Sequence, residues 1–220
     1  MMILEKLLEL NVPLEEINKA TKRGRTPLRQ TASRGHTRVA EKLLSLGMTA
    51  EMVNAVDALK GRSALHYAAF HANIDLLNLL LQKGADPQIQ DKKGKTALNL
   101  CTEQWTLRGE PAYEDVAEIL INVDAVAARE DSYLVSAAAA NGSQRILKIL
   151  HGIGADLGKP DAYGWTPLLL AKRYSHRNTV EYLDRQMSFT GVKPTIFESS
   201  SKSLTISDDG KKMEFAAGGA

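Results

Sequence analysis

The sequence predicts an all-α solenoid of stacked helix-turn-helix units with extended fingers, plus a short C-terminal tail that is β-like or disordered. Three observations predict it. The stretch from Gly61 to Gly94 reads as one complete unit. In it Ser63 is placed to cap a first helix, whose leading N–H groups lack partners. Leu65, Ala68 and Ala69 give that helix a narrow apolar stripe. Ile74, Leu77, Leu80 and Leu81 recur at helical spacing on a second helix, and Gly84 is suited to the left-handed turn that ends it. The second observation is recurrence: the cap position returns at Thr26, Ser63, Thr96, Tyr133 and Thr166, at spacings of 37, 33, 37 and 33. The third is composition, 44% hydrophobic but only 5% aromatic, which suits a core of Leu, Ile, Val and Ala. Such a unit cannot cover its apolar faces alone and needs similar neighbours.

A period near ~33 with a Thr-Pro-Leu-His-x-Ala core is the pattern of one repeat family. Thr26-Pro27-Leu28, Ser63-Ala64-Leu65-His66-Tyr67-Ala68-Ala69 and Thr166-Pro167-Leu168 carry it here, as do Gly35-His36, Gly84-Ala85-Asp86 and Gly154-Ala155-Asp156. On these residues the chain resembles the ankyrin-repeat family over residues 3 to 186. The resemblance implies an ankyrin solenoid whose concave face of fingers and inner helices recognises other proteins.

Taken in order, residues 1–25 read as an N-terminal half-repeat and finger, 26–186 as about five ankyrin repeats and 187–220 as a tail. Ile3, Leu7 and Leu8 match Val39, Leu43 and Leu44 of the next unit, so the chain opens in mid-repeat: either it is cut from a longer parent, the favoured expectation, or it tolerates a half-repeat as its cap. Pro27 suits the first helical position, where its missing N–H costs nothing. In the third repeat the inner helix is expected to end at Trp105. A long Trp-bearing turn through Pro111 then leads to an outer helix carrying Val116, Ile119 and Leu120. The fourth repeat is Ala-rich, with Ile146, Ile149 and Leu150 behind it, and the fifth carries Leu168 and Val180. In the tail, Ser203–Ser207 and Lys212–Phe215 alternate around Asp208-Asp209-Gly210, the pattern of a hairpin. Pro194–Phe197 and Leu204–Gly210 resemble the opening strands of SPRY domains, which often follow ankyrin arrays in fungal proteins. A full SPRY sandwich would need many more residues than a lone hairpin.

No constellation argues for catalysis, a metal or a cofactor. His66 and His71 lie five apart, off a shared helical face. His66 falls at the family's Thr-Pro-Leu-His position, where the resemblance implies a structural bond to the neighbouring finger. Cys101, the single cysteine, reads as a small core residue and excludes an internal disulfide framework. Gly152-Ile153-Gly154 follows a helix, not a strand, and so is no phosphate loop. No segment reaches the ~20 apolar residues of a membrane span, and the start lacks the pattern of a secretory signal. An intracellular protein, cytoplasmic or nuclear, is expected, and a monomer.

The fingers carry Lys22, Arg23 and Arg25, then Lys60 and Arg62, then Lys92, Lys93 and Lys95. Stacking would set these side by side as one cationic stripe, suited to steering an acidic protein or peptide. Phe70, His71 and Trp165 are candidate contact residues, since rigid aromatic side chains make efficient anchors. The expected function is non-catalytic protein–protein recognition. One alternative is the sensor or substrate-recruiting segment of a larger protein, such as an NTPase receptor or a ubiquitin-ligase adaptor. A minor alternative, nucleic-acid binding, rests on the finger stripe alone, and the net charge of +2 gives it little support.

Overall fold

Every full repeat opens on an inner helix held by an oxygen-bearing cap. The computed structural model describes residues 13–17, 19, 21, 25–189, 204–206 and 213–215. The chain divides into two units, Met1–Gln186 and Met187–Ala220. Lys22, Arg23, the half-repeat segment over residues 3–10 and the SPRY-like segment Pro194–Phe197 lie outside the described residues.

In chain order the first finger carries α1 (Leu14–Ile17), and the first full repeat is α2 (Pro27–Arg34) and α3 (Thr37–Ser45). The second finger carries α4 (Ala50–Val53), followed by α5 (Ala64–Phe70) and α6 (Ile74–Gln82). The third repeat is α7 (Ala97–Arg108) with α8 (Pro111–Val123). The short α9 (Ala125–Glu130) precedes α10 (Ser132–Ala140) and α11 (Gln144–Gly152) of the fourth. The fifth is α12 (Pro167–Arg173) with α13 (Arg177–Phe189). Inner helices α2, α5, α7, α10 and α12 pack each on the next, and outer helices α3, α6, α8 and α11 do the same behind them.

Local chemistry accounts for most of these boundaries. The hydroxyls of Thr26, Thr96 and Thr166 each accept the N–H three residues on, at 3.3 Å. Such a cap contributes ~1 kcal/mol. Pro27, Pro111 and Pro167 occupy the first turns that tolerate them. Gly84 ends the second repeat at φ +81. The second unit holds an antiparallel pair, β1 (Leu204–Ile206) and β2 (Met213–Phe215), with Leu204 opposite Phe215 and Ile206 opposite Met213.

Four expectations need correction. The fourth cap is Asp131, not Tyr133: its carboxylate accepts the Leu134 N–H at 3.1 Å, whereas a tyrosine carries no short acceptor. Caps therefore fall at Thr26, Ser63, Thr96, Asp131 and Thr166. The connection before that cap is not an extended finger but α9. Its Ala-Val-Ala-Ala-Arg-Glu sequence is rich in helix formers, and Asp124 caps it on the Ala127 N–H at 3.2 Å. Third, α7 does not stop at Trp105. It continues to Arg108 because Thr102 and Trp105 are still buried, and only Gly109 at φ +66 and Glu110 separate it from α8. Trp105 is a core residue, not part of an exposed turn. Fourth, α6 buries Leu76, Leu77 and Leu80, while Ile74 and Leu81 are half-buried. An outer helix packs on its own inner helix and on neighbouring outer helices, which rotates the buried stripe away from the simplest spacing.

Polar clasps on the inter-helix-turn side link neighbouring repeats throughout. Asn73 donates to the Thr37 hydroxyl at 2.8 Å, Tyr113 to the Phe70 carbonyl at 3.1 Å and Thr179 to the Gly142 carbonyl at 2.9 Å. The Ser143 hydroxyl meets Glu114 between the third and fourth repeats.

The corrected stripe makes a prediction for stability. Leu76→Ala should destabilise the chain by ~2–5 kcal/mol, the range for a fully buried leucine. Ile74→Ala should cost clearly less. Urea unfolding followed by circular dichroism checks both, and equal costs would contradict this packing.

Candidate functional site

The finger side of the array is built from one recurring position. Three residues after each of the first three caps stand Arg29, His66 and Asn99. Each sends a donor to the segment that leads into the next inner helix. Arg29 Nη1 reaches Asp57 Oδ2 at 3.4 Å and the Tyr67 hydroxyl at 3.2 Å. His66 Nδ1 receives the Ser63 N–H at 3.2 Å. A backbone N–H can only donate, so Nδ1 is the acceptor and Nε2 carries the hydrogen, which goes to the Lys95 carbonyl at 3.0 Å. Asn99 repeats this arrangement: its Oδ1 accepts the Thr96 N–H at 3.1 Å, and its Nδ2 donates to Asp131 at 2.8 Å. Burial of the imidazole holds the His66 pKa below the ordinary histidine value, although the Lys95 carbonyl opposes this.

Thr21 closes the first finger, its hydroxyl accepting the Arg25 N–H at 3.2 Å, and an aspartate closes the second, third and last. Asp57 accepts the N–H groups of Leu59 at 2.9 Å, Lys60 at 2.7 Å and Arg62 at 3.3 Å. Asp91 accepts those of Lys93 at 2.8 Å and Lys95 at 3.1 Å, and Asp161 those of Tyr163 and Trp165. Burial alone would raise the Asp57 and Asp91 pKa values. Their backbone donors, with Arg29 on the first and Arg62 on the second, outweigh it and hold both carboxyls below the usual range. Successive fingers also touch by backbone, the Lys92 N–H on the Lys60 carbonyl at 2.8 Å. This approach requires Gly61, since a Cβ there would lie 3.0 Å from the Lys92 nitrogen on a backbone at φ +72.

The predicted cationic stripe divides into two kinds of residue. Arg62 is paired with Asp91 at 3.0 Å and lies over the Phe70 ring at 5.8 Å. The Lys92 ammonium donates to the Ala58 carbonyl, and Lys95 is ion-paired with Glu103. These three knit fingers and helices together. Lys60 and Lys93 are exposed, and Arg25 is half-buried beside α2. Phe70 is half-buried with its ring edge-on to the exposed His71 at 5.0 Å, so Arg62, Phe70 and His71 form one cluster. Desolvation lowers the His71 pKa, helped by Arg108 and opposed by the Ser33 carbonyl. Trp165 is not part of that cluster. It sits half-buried in the fifth repeat's finger, under the Arg173 guanidinium at 5.2 Å.

Arg29, Asp57, Tyr67 and Asp91 were not among the sequence candidates. The signal was present: Arg29 stands where the Thr-Pro-Leu-His pattern has its histidine, and Asp57, Asp91 and Asp161 each precede a finger glycine by three or four residues. Cys101 is fully buried, its thiol meets the Tyr113 carbonyl at 3.3 Å, and burial pushes its pKa up. Among the described residues no group of three or more His, Cys, Asp or Glu could hold a metal ion, and no helix is long and apolar enough to cross a membrane.

Residues 2–91 match the family model for ankyrin repeats (3 copies). The fold is an ankyrin-repeat solenoid. Ankyrin-containing relatives extend the likeness. Protein glp-1 of Caenorhabditis elegans is 32% identical over 109 residues, 46% of this chain and 8% of that protein. The E3 ubiquitin-protein ligase hecd-1 of Caenorhabditis elegans is 44% identical over 66 residues, 29% of this chain and 2% of the ligase. Human Ankyrin repeat and SOCS box protein 16 is 32% identical over 142 residues, 64% of this chain and 30% of its own length. The chain thus spans less than a third of the length of each of these relatives.

The ankyrin finger contacts make two predictions. Asp57→Ala strands the buried Arg29 charge and should cost ~3–5 kcal/mol in urea unfolding, far more than loss of an exposed ion pair. The second concerns pH. A histidine held below its ordinary pKa of ~6.5 binds fewer protons folded than unfolded, so its contribution makes stability rise with pH through that window. Wild-type stability should therefore fall between pH 7.5 and 5.5. His66→Asn, which supplies the third repeat's own residue, should flatten the slope, leaving the share of His71. An unchanged slope would show that His66 is not held neutral.

Proposed function

We propose that the chain is a non-catalytic protein-recognition module that binds an acidic protein or peptide along its N-terminal fingers and inner helices. The observation that carries this reading is the charge asymmetry of the second and third finger tips. Their carboxylates, Asp57 and Asp91, are buried and turned onto backbone N–H groups. The exposed charges left at those tips include Lys60 and Lys93. Beside them lie Leu59, 59% exposed, and the Phe70–His71 pair, which supply contact area. Outward cations with inward acids favour an anionic partner and speed its encounter. Arg62, Lys92 and Lys95 are already committed to protein groups, which removes most of the support for a nucleic-acid reading.

A second reading makes the array the recruiting or sensing segment of a larger protein, such as a ubiquitin-ligase adaptor or an NTPase receptor. Its support is that the match covers less than a third of each relative, and that one is an E3 ubiquitin-protein ligase and another a SOCS box protein. The SPRY-like resemblance of the tail belongs with this reading.

Capture from cell extract tests the first reading. A protein retained by the wild-type chain should be lost with Lys60→Glu/Lys93→Glu and kept with Lys42→Glu, a control on the outer helix α3. Loss by all variants, or by none, would overturn the finger surface.

A further inference from the structure

Between the first and second full repeats, α2, the second finger tip and α5 enclose a cleft of about 250 Å³. Four cationic side chains line it, Arg25, Arg29, Arg34 and Lys60, against one carboxylate, that of Asp57. That carboxylate is already occupied by three backbone N–H groups as well as by Arg29 and the Tyr67 hydroxyl. The lining leaves one negative charge against four positive ones.

Arg29 is the unusual member. Its side chain is 7% exposed, it reaches Asp57 only at 3.4 Å, and its Nε has no hydrogen-bond partner. A buried donor left unpaired carries a penalty that native interiors seldom accept. Stacking does not demand it. At the same place in the next two repeats, the neutral side chains of His66 and Asn99 make the link to the following finger with both polar ends bonded. Arg29 adds a charge and an unspent donor to a position that needs neither. Its guanidinium carbon lies 5.1 Å from the centre of the Tyr67 ring, and its Nη1 donates to the Tyr67 hydroxyl. A planar guanidinium fork suits carboxylate or phosphate oxygens, and converging cations in a cleft of low dielectric concentrate the field on a single anion.

We propose that this cleft is the docking pocket for one anionic side chain, a carboxylate or a phosphate, carried by an extended peptide. Arg29 receives the anion from the floor, and Arg25, Arg34 and Lys60 gather around it. This deepens the protein-recognition reading and rests on it. The volume is below the ~300–1,000 Å³ of sites for drug-sized ligands, which suits one side chain and not a cofactor. Leu59 at the rim offers an apolar contact to the neighbouring residue of the peptide.

The test is an amide nitrogen–proton NMR titration of the full chain with three end-blocked hexapeptides. The first is Ala-Ala-Glu-Leu-Ala-Ala, and the others carry glutamine or phosphoserine in place of its glutamate. The glutamate or phosphoserine peptide should move the signals of Arg29, Lys60 and Tyr67, and the glutamine peptide should not. Whichever of the two binds more tightly assigns carboxylate or phosphate. Arg29→His should weaken binding by about tenfold, the loss of one charge-assisted hydrogen bond. Lys60→Gln, at an exposed site, should weaken it by a smaller factor and serves if Arg29→His fails to fold. Equal shifts with the glutamine peptide, or undiminished binding by both variants, would overturn the pocket. Shifts confined to other fingers would overturn the pocket while leaving protein recognition standing. No shift with any peptide would also overturn it, and capture from extract would then decide recognition by itself.

Discussion

One side chain per repeat, three residues past the helix cap, fixes how each of the first three units meets the next. The position lies on the first turn of an inner helix, so the cap sets both its height and its direction. From there His66 and Asn99 accept from their own cap residue and donate onward, while Arg29 donates onward to Asp57. The finger ends in turn depend on Asp57 and Asp91, whose carboxylates fold the tips. Helix start, finger tip and neighbour contact are thus one hydrogen-bonded circuit. In a solenoid, where each unit touches only its neighbours, such a circuit is what makes the array cooperative.

The same circuit explains why the basic stripe does not act as a single surface. A cation within reach of a carboxylate is drawn into the framework, as Arg62 is by the buried Asp91 and Lys95 by the half-buried Glu103. Lys60 and Lys93, at the outer side of their turns, face solvent instead. Arg25 and Arg34 border the cleft whose floor is Arg29. Position within the turn, more than residue type, separates the structural cations from those available to a partner.

Sequence reading recovered what is local. The period, the caps at Thr26, Ser63, Thr96 and Thr166, the proline starts and the core role of Cys101 follow from chemistry within a few residues. It failed where partners are distant in the chain or where two local signals compete. Nothing near Arg62 announces Asp91, 29 residues on. Trp105 looked like a turn residue because a turn was expected there, yet α7 gains more by burying it. The fourth cap went to Tyr133 by strict periodicity, although Asp131 two residues earlier has the acceptor that a helix start needs. In the connection before it, Ala125, Ala127, Ala128 and Glu130 favour the helix that forms over an extended finger.

The start of the fourth inner helix at Asp131 has a mechanical consequence. Three residues past the fourth cap stands Leu134, fully buried and without a polar end to continue the circuit, and the hydroxyl of Ser136 nearby on the same helix has no hydrogen-bond partner among the described residues. The fourth and fifth repeats are clasped instead on the other edge, where His176 meets the Ala140 carbonyl and Thr179 the Gly142 carbonyl. Among the described residues the earlier joints carry polar bonds along both edges and this one along the turn edge. Under tension the last unit would swing open like a door on its turn-side hinge, while the earlier units would have to shear.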